Sequence, residues 1–210
     1  MLIEEKLGQE EIFIAFLSTN TMMGRGIRLV TGNKYSHVAI SLDQDLRVMY
    51  SFARYYINSP IRGGFVIEQP LRYLYDNQDV PVKLCKVSVS REEYDRIRSE
   101  IGYFIANREK LIYNTPNALL SLFGRQLTVK DMYTCLEFVT YLLHYPRLFT
   151  IRELEHRLEQ QVVYHGSLKQ IVAQEDTWPE DDYFNRRKVS GVVSDTVHHI
   201  RMVAVRVLHA

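Results

Sequence analysis

The strongest constraint on the fold is a change of hydrophobic period along the chain. Over Ser36–Leu42 and again over Arg47–Ala53, bulky apolar residues alternate with small or polar ones, which is typical of β-strands with two distinct faces. Over Thr128–Tyr145 the apolar residues recur at helical spacing instead, with no glycine or proline before Pro146. We therefore predict an α+β fold in which helices pack on an antiparallel sheet.

The remaining elements are predicted from caps, turns and shorter periodic runs. Strands are expected near 12–17, 36–42, 47–54, 64–69 and 82–89, with a closing strand at 203–208 that joins the sheet. Helical segments are expected from Asn20 or Thr21 through Val30, at 70–75, from the Ser90 capping box to about 108, and at 114–123, 151–160 and 168–173. Residues 174–188 are predicted to form the longest loop.

Composition limits the classes to which the chain can belong. With 210 residues, 46% hydrophobic and 24% charged, it is expected to form a single domain spanning 1–210. The net charge of +1, from 26 basic and 25 acidic residues, gives no field to recruit nucleic acid or anionic lipid, and the cluster 186–188 is too short to change this expectation. Because there is no secretory signal, no run long enough to span a membrane and only two cysteines, we expect a cytoplasmic protein without stable membrane insertion.

Cys135 lies at or near the start of the predicted helix, in Tyr133-Thr134-Cys135-Leu136-Glu137-Phe138-Val139. If Asp131 or Thr134 caps this helix, the thiol falls in the first turn, where free backbone N–H groups and the helix dipole favour a thiolate. A single cysteine in an apolar helix is more often a small core residue. Cys85, in the middle of a predicted strand, is interpreted as such a core residue.

His37 lies on the first of the alternating strands, with Ala39 and Ser41 on its own face and Val38 and Ile40 on the other. Small residues allow a helix to approach a sheet closely. We therefore expect the helix that carries Cys135 to pack on the face of His37, which would bring a thiol and an imidazole together.

The order of these two motifs resembles the circularly permuted branch of the NlpC-like, papain-fold cysteine hydrolases, the YiiX- and YaeF-like group. In ordinary papain-like chains the cysteine helix precedes the histidine strand, whereas here His37 comes first by 135 − 37 = 98 residues. The resemblance covers roughly Glu11 to Leu143. It implies a papain-like α+β domain with Cys135 as the nucleophile and His37 as the general base that later protonates the leaving group.

A third residue is needed to orient the imidazole. By the resemblance it lies on the strand after that of His37, where Ser51 is the candidate by position. Glu68, on the following strand, is the candidate by chemistry, and Tyr50 is a third possibility on the opposite face.

The neighbourhood of Cys135 also supplies candidates for binding the substrate. Tyr133 and Glu137 flank the cysteine and are expected to contact the substrate, as is Tyr50. The backbone N–H of Cys135 would be one half of an oxyanion hole, and the second donor is not identified by the sequence.

Three functions are compatible with these residues. The resemblance favours a cysteine peptidase or amidase that acts on a small peptide or a peptidoglycan-derived amide. A thiol acyl hydrolase or acyltransferase acting on lipid-like substrates is the second, because a related permuted group that resembles lecithin:retinol acyltransferase has the same His-then-Cys order. A non-catalytic binding module is the third. The seven histidines show no zinc-site spacing and no phosphate-binding glycine loop follows a strand, so neither metal nor cofactor is expected.

Overall fold

The computed structural model describes residues 9–19, 32–172 and 181–209. Its strands are β1 (Gln9–Leu17), β2 (His37–Ser41), β3 (Met49–Arg54), β4 (Gly63–Glu68), β5 (Pro81–Ser90), β6 (Ile112–Tyr113), β7 (Met132–Tyr133) and β8 (Val162–Ser167). Its α-helices are α1 (Leu71–Leu74), α2 (Arg91–Ala106), α3 (Thr115–Leu120), α4 (Cys135–Leu142), α5 (Ile151–Arg157) and α6 (Val189–Leu208).

Six of the strands form one antiparallel sheet in the order β4-β3-β2-β1-β5-β8. This confirms the predicted α+β class and the antiparallel sheet. β6 and β7 form a separate two-residue parallel pair that aligns Tyr113 with Tyr133, immediately before α4 begins. The pair therefore places a residue from a distant part of the chain beside the helix of Cys135.

The two faces of the sheet bury different apolar clusters. The first cluster includes Val38 and Ile40 together with residues of α2 and α4, and the second includes Ala39. In the first cluster the ring centroid of Phe138, on α4, lies 5.5 Å from those of both Phe52 and Phe65. The helix of Cys135 therefore packs on the bulky face of β2, and the expectation that it would approach the small-residue face is wrong. Large side chains on this face bury more apolar area against a helix than Ala39 and its neighbours would.

The predicted closing strand at 203–208 is also wrong, because these residues are the end of α6. Valines alternate there, but the helix buries polar side chains, so its inward face gives no apolar signal of helical period. β8 was not predicted, and the helix expected at 168–173 is only a short 3₁₀ turn over Leu168–Gln170. The helix expected through Val30 lies outside the described residues, and so do residues 174–180 of the predicted long loop.

The other predicted elements are confirmed with small changes at their ends. Ser90 caps α2, and its Oγ accepts a hydrogen bond from the Glu93 N–H at 3.1 Å. None of the helices in the described part of the chain combines the length and the hydropathy that crossing a bilayer requires.

Candidate active site

Cys135 is the first residue of α4, and the residues around it fix the start of this helix. Thr134 is the N-cap: its Oγ1 accepts from the Glu137 N–H at 3.2 Å, while Glu137 Oε2 accepts from the Thr134 N–H at 2.7 Å. This reciprocal capping box selects Thr134 over Asp131 as the cap. Cys135 is 5% exposed and lies in the first turn, where the N–H groups have no intrahelical acceptor.

Glu137 has a structural position. Its second carboxylate oxygen accepts a hydrogen bond of 2.5 Å from the side-chain amide of Asn117, which lies on α3. Because both oxygens are occupied, by Thr134 and by Asn117, Glu137 joins α3 to the start of α4. The geometry therefore favours a role in holding Cys135 in place over the expected contact with substrate.

His37 is the first residue of β2 and forms a buried pair with Glu68. Its Nε2 lies 3.0 Å from Glu68 Oε2, and the two side chains are 9% and 2% exposed. Burial alone would lower the pKa of His37, but the Glu68 carboxylate and the Cys135 thiol raise it to about 10. Burial opposes ionisation of Glu68 as well, yet His37 and Arg72 hold the pKa of its carboxyl below the usual value. At neutral pH the pair is therefore an imidazolium and a carboxylate.

A second layer of charges lies behind Glu68. The Tyr73 hydroxyl donates to Glu68 Oε2 at 2.8 Å, and an Arg72 nitrogen lies 4.0 Å from Oε1. Arg72 in turn binds Asp181 through two hydrogen bonds of 2.5 and 2.8 Å. His37, Glu68, Arg72 and Asp181 thus form a chain of alternating charges, in which each buried ion has an oppositely charged neighbour.

The sequence reasoning did not identify Arg72, Tyr73 or Asp181. One local signal was present: Arg72 follows Glu68 by four residues across the turn that Pro70 opens. Asp181 comes from more than a hundred residues away, and no local pattern links it to Arg72.

The two candidates for orienting His37 are now distinguished. The Ser51 hydroxyl is fully buried and donates to the Val38 carbonyl at 2.8 Å, so it stabilises the β2–β3 pairing. Glu68, in contrast, bonds directly to the ring of His37.

The aromatic candidates belong to the first core cluster. Tyr50 stacks on Phe65, with ring centroids 6.4 Å apart. The Tyr133 ring lies 5.2 Å from that of Phe52 and 5.4 Å from that of Phe104. These contacts account for both tyrosines as packing residues, and their expected role in binding substrate stays a prediction.

The Cys135 thiol is the other partner of the imidazole. By strand parity the His37 side chain starts on the face of Ala39, whereas α4 packs on the face of Val38. His37 is the first residue of β2 and Cys135 the first residue of α4, and the two side chains are close enough to interact. Hydrogen bonding and Coulomb attraction from Cys135 both contribute to the raised pKa of His37. Among the described residues the ring makes its one short hydrogen bond with Glu68, so the pairing with Cys135 is the looser of the two.

A cavity opens at Cys135. Nine of its fourteen lining residues carry a neutral hydroxyl or amide group: Asn33, Tyr35, Ser36, Tyr113, Asn117, Ser121, Gln126, Thr134 and Thr150. No charged side chain of the described residues lines this cavity. The chemistry of the lining suits a neutral polar ligand.

Tyr113 is a further lining residue that the sequence reasoning missed. It is placed beside Cys135 by the β6–β7 pair. Burial raises its pKa well above the usual value, and the charges of Cys135 and Glu137 add to this effect. Its phenol therefore keeps its proton, and it makes no hydrogen bond to another described residue.

Comparisons with known proteins found no family model, curated protein or solved structure that matches the chain. The resemblance to the permuted cysteine hydrolases therefore stays a prediction. Within the described residues no group of three His, Cys, Asp or Glu side chains is arranged to hold a metal ion.

Proposed function

We propose that this protein is a cysteine hydrolase that cleaves an amide bond in a small peptide or a peptidoglycan-derived fragment. Cys135 is the nucleophile, His37 the general base and acid, and Glu68 the residue that orients His37. The observation that carries the proposal is the buried His37–Glu68 pair, whose ring interacts with a thiol in the first turn of a capped helix. The fold is that of a permuted papain-like domain.

The reaction follows from these positions. Cys135 reacts as the thiolate beside the His37 imidazolium; its sulfur attacks the carbonyl carbon and forms a tetrahedral adduct. His37 then gives its proton to the leaving amine as the C–N bond breaks, leaving a thioester on Cys135. The neutral ring next removes a proton from water, whose oxygen attacks the thioester and releases the acid. Cys135 leaves as a thiolate, and His37 is again protonated.

Two donors are available to the oxyanion of the adduct. One is the backbone N–H of Cys135, and the other is the hydroxyl of Tyr113, which lines the same cavity. Tyr113→Phe removes this hydroxyl alone, so turnover should fall about a hundredfold with little change in KM. An unchanged turnover number would exclude Tyr113 as a donor.

The substrate class is argued from the cavity and the expected location. Neutral amide and hydroxyl side chains match the polar backbone of a peptide better than a charged headgroup. In the cytoplasm an intact cell wall would be out of reach, so a peptidoglycan-derived substrate would be a precursor or a recycled fragment.

The test is a panel of short peptides, peptide amides and peptidoglycan stem peptides incubated with the full chain, with product amines detected by mass spectrometry. The wild type should release an amine from at least one compound, and Cys135→Ala should not. Cys85→Ala is the matched control and should remain active. Release by Cys135→Ala at the wild-type rate would contradict the proposed nucleophile.

A thiol acyl hydrolase or acyltransferase acting on lipid-like substrates is the second candidate. It is favoured by two exposed apolar side chains that lie close in sequence to the lining residues Ala118 and Ser121: Leu119 on α3 and Phe123 just after it, which are 61% and 78% exposed. In this case thioesters and esters with long acyl chains should be cleaved faster than the peptides of the panel. If neither class is cleaved but a peptide binds, the third possibility, a binding module, is favoured.

A further inference from the structure

The exposed face of α6 is apolar, which reverses the usual arrangement of a surface helix. Its fully buried positions are polar, since Asp195 and His199 are each 2% exposed. Its outward positions carry seven large apolar side chains that are 37% to 83% exposed and that we call the apolar stripe: Val189, Val193, Val197, Ile200, Val205, Val207 and Leu208. A continuous stripe along a 20-residue helix marks an interaction surface, whereas scattered apolar residues do not.

The polar contacts of α6 fix the stripe in its outward orientation. Asp195 accepts hydrogen bonds from Arg62 at 2.8 Å and from Arg187 at 3.0 Å. His199 Nε2 lies 3.0 Å from the hydroxyl of Thr115 on α3. Rotating the helix to bury the valines would break all of these contacts and leave Arg62 without its carboxylate partner.

The charges of α6 and of the residues just before it are mostly positive. Residues 183–209 contain five arginines and lysines but a single carboxylate, Asp195, which the two arginines already neutralise. Lys188 and Arg201 are exposed beside the stripe. The chain as a whole is nearly neutral and the basic cluster 186–188 is short, so the sequence alone does not indicate a positively charged surface. The excess of positive charge follows from the fold, because α6 places Lys188 and Arg201 next to the apolar stripe.

α3 contacts the inward face of α6 and carries exposed apolar residues of its own. Thr115, which contacts His199, is followed one turn later by Leu119 and then by Phe123, both largely exposed. The same helix lines the cavity at Cys135 through Asn117.

We propose that α6 docks this protein on an anionic lipid surface. The apolar stripe enters the headgroup region, while Lys188 and Arg201 lie against lipid phosphates. Apolar burial and attraction to anionic lipids act together in such interfacial helices. This docking is peripheral, and it does not depend on the catalytic role of Cys135.

A second copy of the chain is the competing occupant. Val193, Val197, Ile200 and Val207 fall on the alternating three- and four-residue spacing of a coiled-coil seam. Pairing of two α6 helices would, however, bring Arg201 to a partner helix that exposes no carboxylate. The charge distribution therefore favours the lipid surface.

The test is flotation of the full chain with vesicles of phosphatidylcholine alone and of phosphatidylcholine mixed equally with phosphatidylglycerol. The wild type should bind the mixed vesicles and not the neutral ones, and added salt should weaken binding. Val197→Ser with Ile200→Ser should lower the partition coefficient about tenfold or more. Lys188→Gln with Arg201→Gln should weaken binding at low salt. Val163→Ser, at an exposed position on β8, is the matched control and should bind like the wild type.

Two results would overturn the proposal. One is the absence of binding to the mixed vesicles, including the case in which light scattering shows a dimer that Val197→Ser with Ile200→Ser converts to a monomer. The other is undiminished binding by that double variant. If its thermal unfolding shows that it does not fold, the variant of Lys188 and Arg201 decides the question, because these exposed side chains contribute little to stability.

Discussion

Cys85 and Cys135 are both buried thiols, 0% and 5% exposed, in very different surroundings. Cys85 lies within β5, and its Sγ donates to the Leu158 carbonyl at 3.5 Å. Burial raises the pKa of this thiol to about 12, and the charge of Glu155 adds to the effect. Cys135 instead opens a capped helix, lines a cavity and interacts with the imidazolium of His37.

This difference teaches that burial does not decide what a cysteine does. Both thiols belong to the same apolar cluster, and each would count as a core residue by exposure alone. What separates them is access to a cavity and a cationic partner held by a carboxylate. The proposed chemistry therefore depends on Glu68 as much as on Cys135, and the predictions below test the two cysteines and their partners in turn.

The largest effect is expected from removing the two thiols separately. Cys135→Ala should lower kcat/KM by about six orders of magnitude on any amide that the wild type cleaves, because the nucleophile is lost. Cys85→Ala should keep kcat/KM within a few-fold and lower the free energy of unfolding by about 1 kcal/mol, since it removes only a buried sulfur. Steady-state kinetics measures kcat/KM, and urea unfolding measures the free energy of unfolding. Equal loss of activity in the two variants would contradict the assignment of Cys135 as the nucleophile and Cys85 as a core residue.

The next effect concerns the residue that holds His37. Glu68→Gln should lower turnover by up to about four orders of magnitude, because the imidazolium loses its charged partner. Ser51→Ala should lower turnover only slightly, since the Ser51 hydroxyl bonds to a backbone carbonyl. Thermal unfolding of both variants separates catalysis from folding. A larger kinetic loss in Ser51→Ala than in Glu68→Gln would reverse this assignment.

A smaller effect is expected on stability as the pH changes. The folded-state pKa of His37 is raised from 6.5 to about 10, so its contribution is complete below pH 6.5 and is lost as the pH rises through about 10. Glu68 has a lowered pKa, so its contribution is present above pH 4.5 and is lost as the pH falls through the folded value.

The urea unfolding free energy should therefore be about 2–3 kcal/mol lower near pH 9 than near pH 6, and Glu68→Gln should remove most of this difference. If the unfolding free energy of Glu68→Gln falls between pH 6 and pH 9 by as much as that of the wild type, the His37–Glu68 pair is not the cause of the decrease.

Sequence alone was sufficient for the parts of the site that depend on local chain geometry. The strand period placed His37, and the helical spacing of apolar residues over Thr128–Tyr145 placed Cys135 at or near a helix start, with the cap left open between Asp131 and Thr134. Glu68 was among the candidates because its chemistry suits an imidazole. These signals lie within a few residues of the positions they predict.

The parts of the site that the sequence did not predict depend on contacts between distant segments. Arg72 and Asp181 meet only because the chain after α1 returns to the same end of the sheet. α4 packs on the face of the sheet where the large side chains bury the most apolar area. The small residues beside His37 suggested the opposite face. In α6 seven large apolar residues face outward, and only partly buried residues such as Met202 and Val203 pack inward, so a pattern that assumes an apolar inward face wrongly predicts a strand at 203–208.

The most direct test of the central claim is the rate of iodoacetamide alkylation of each cysteine in the native protein, read by mass spectrometry from about pH 5 to about pH 9. We predict that Cys135 reacts at least about a hundredfold faster than Cys85 near pH 6, and that His37→Ala slows Cys135 towards the rate of Cys85. Equal rates for the two cysteines across this range, or a rate at Cys135 that does not depend on His37, would contradict the account.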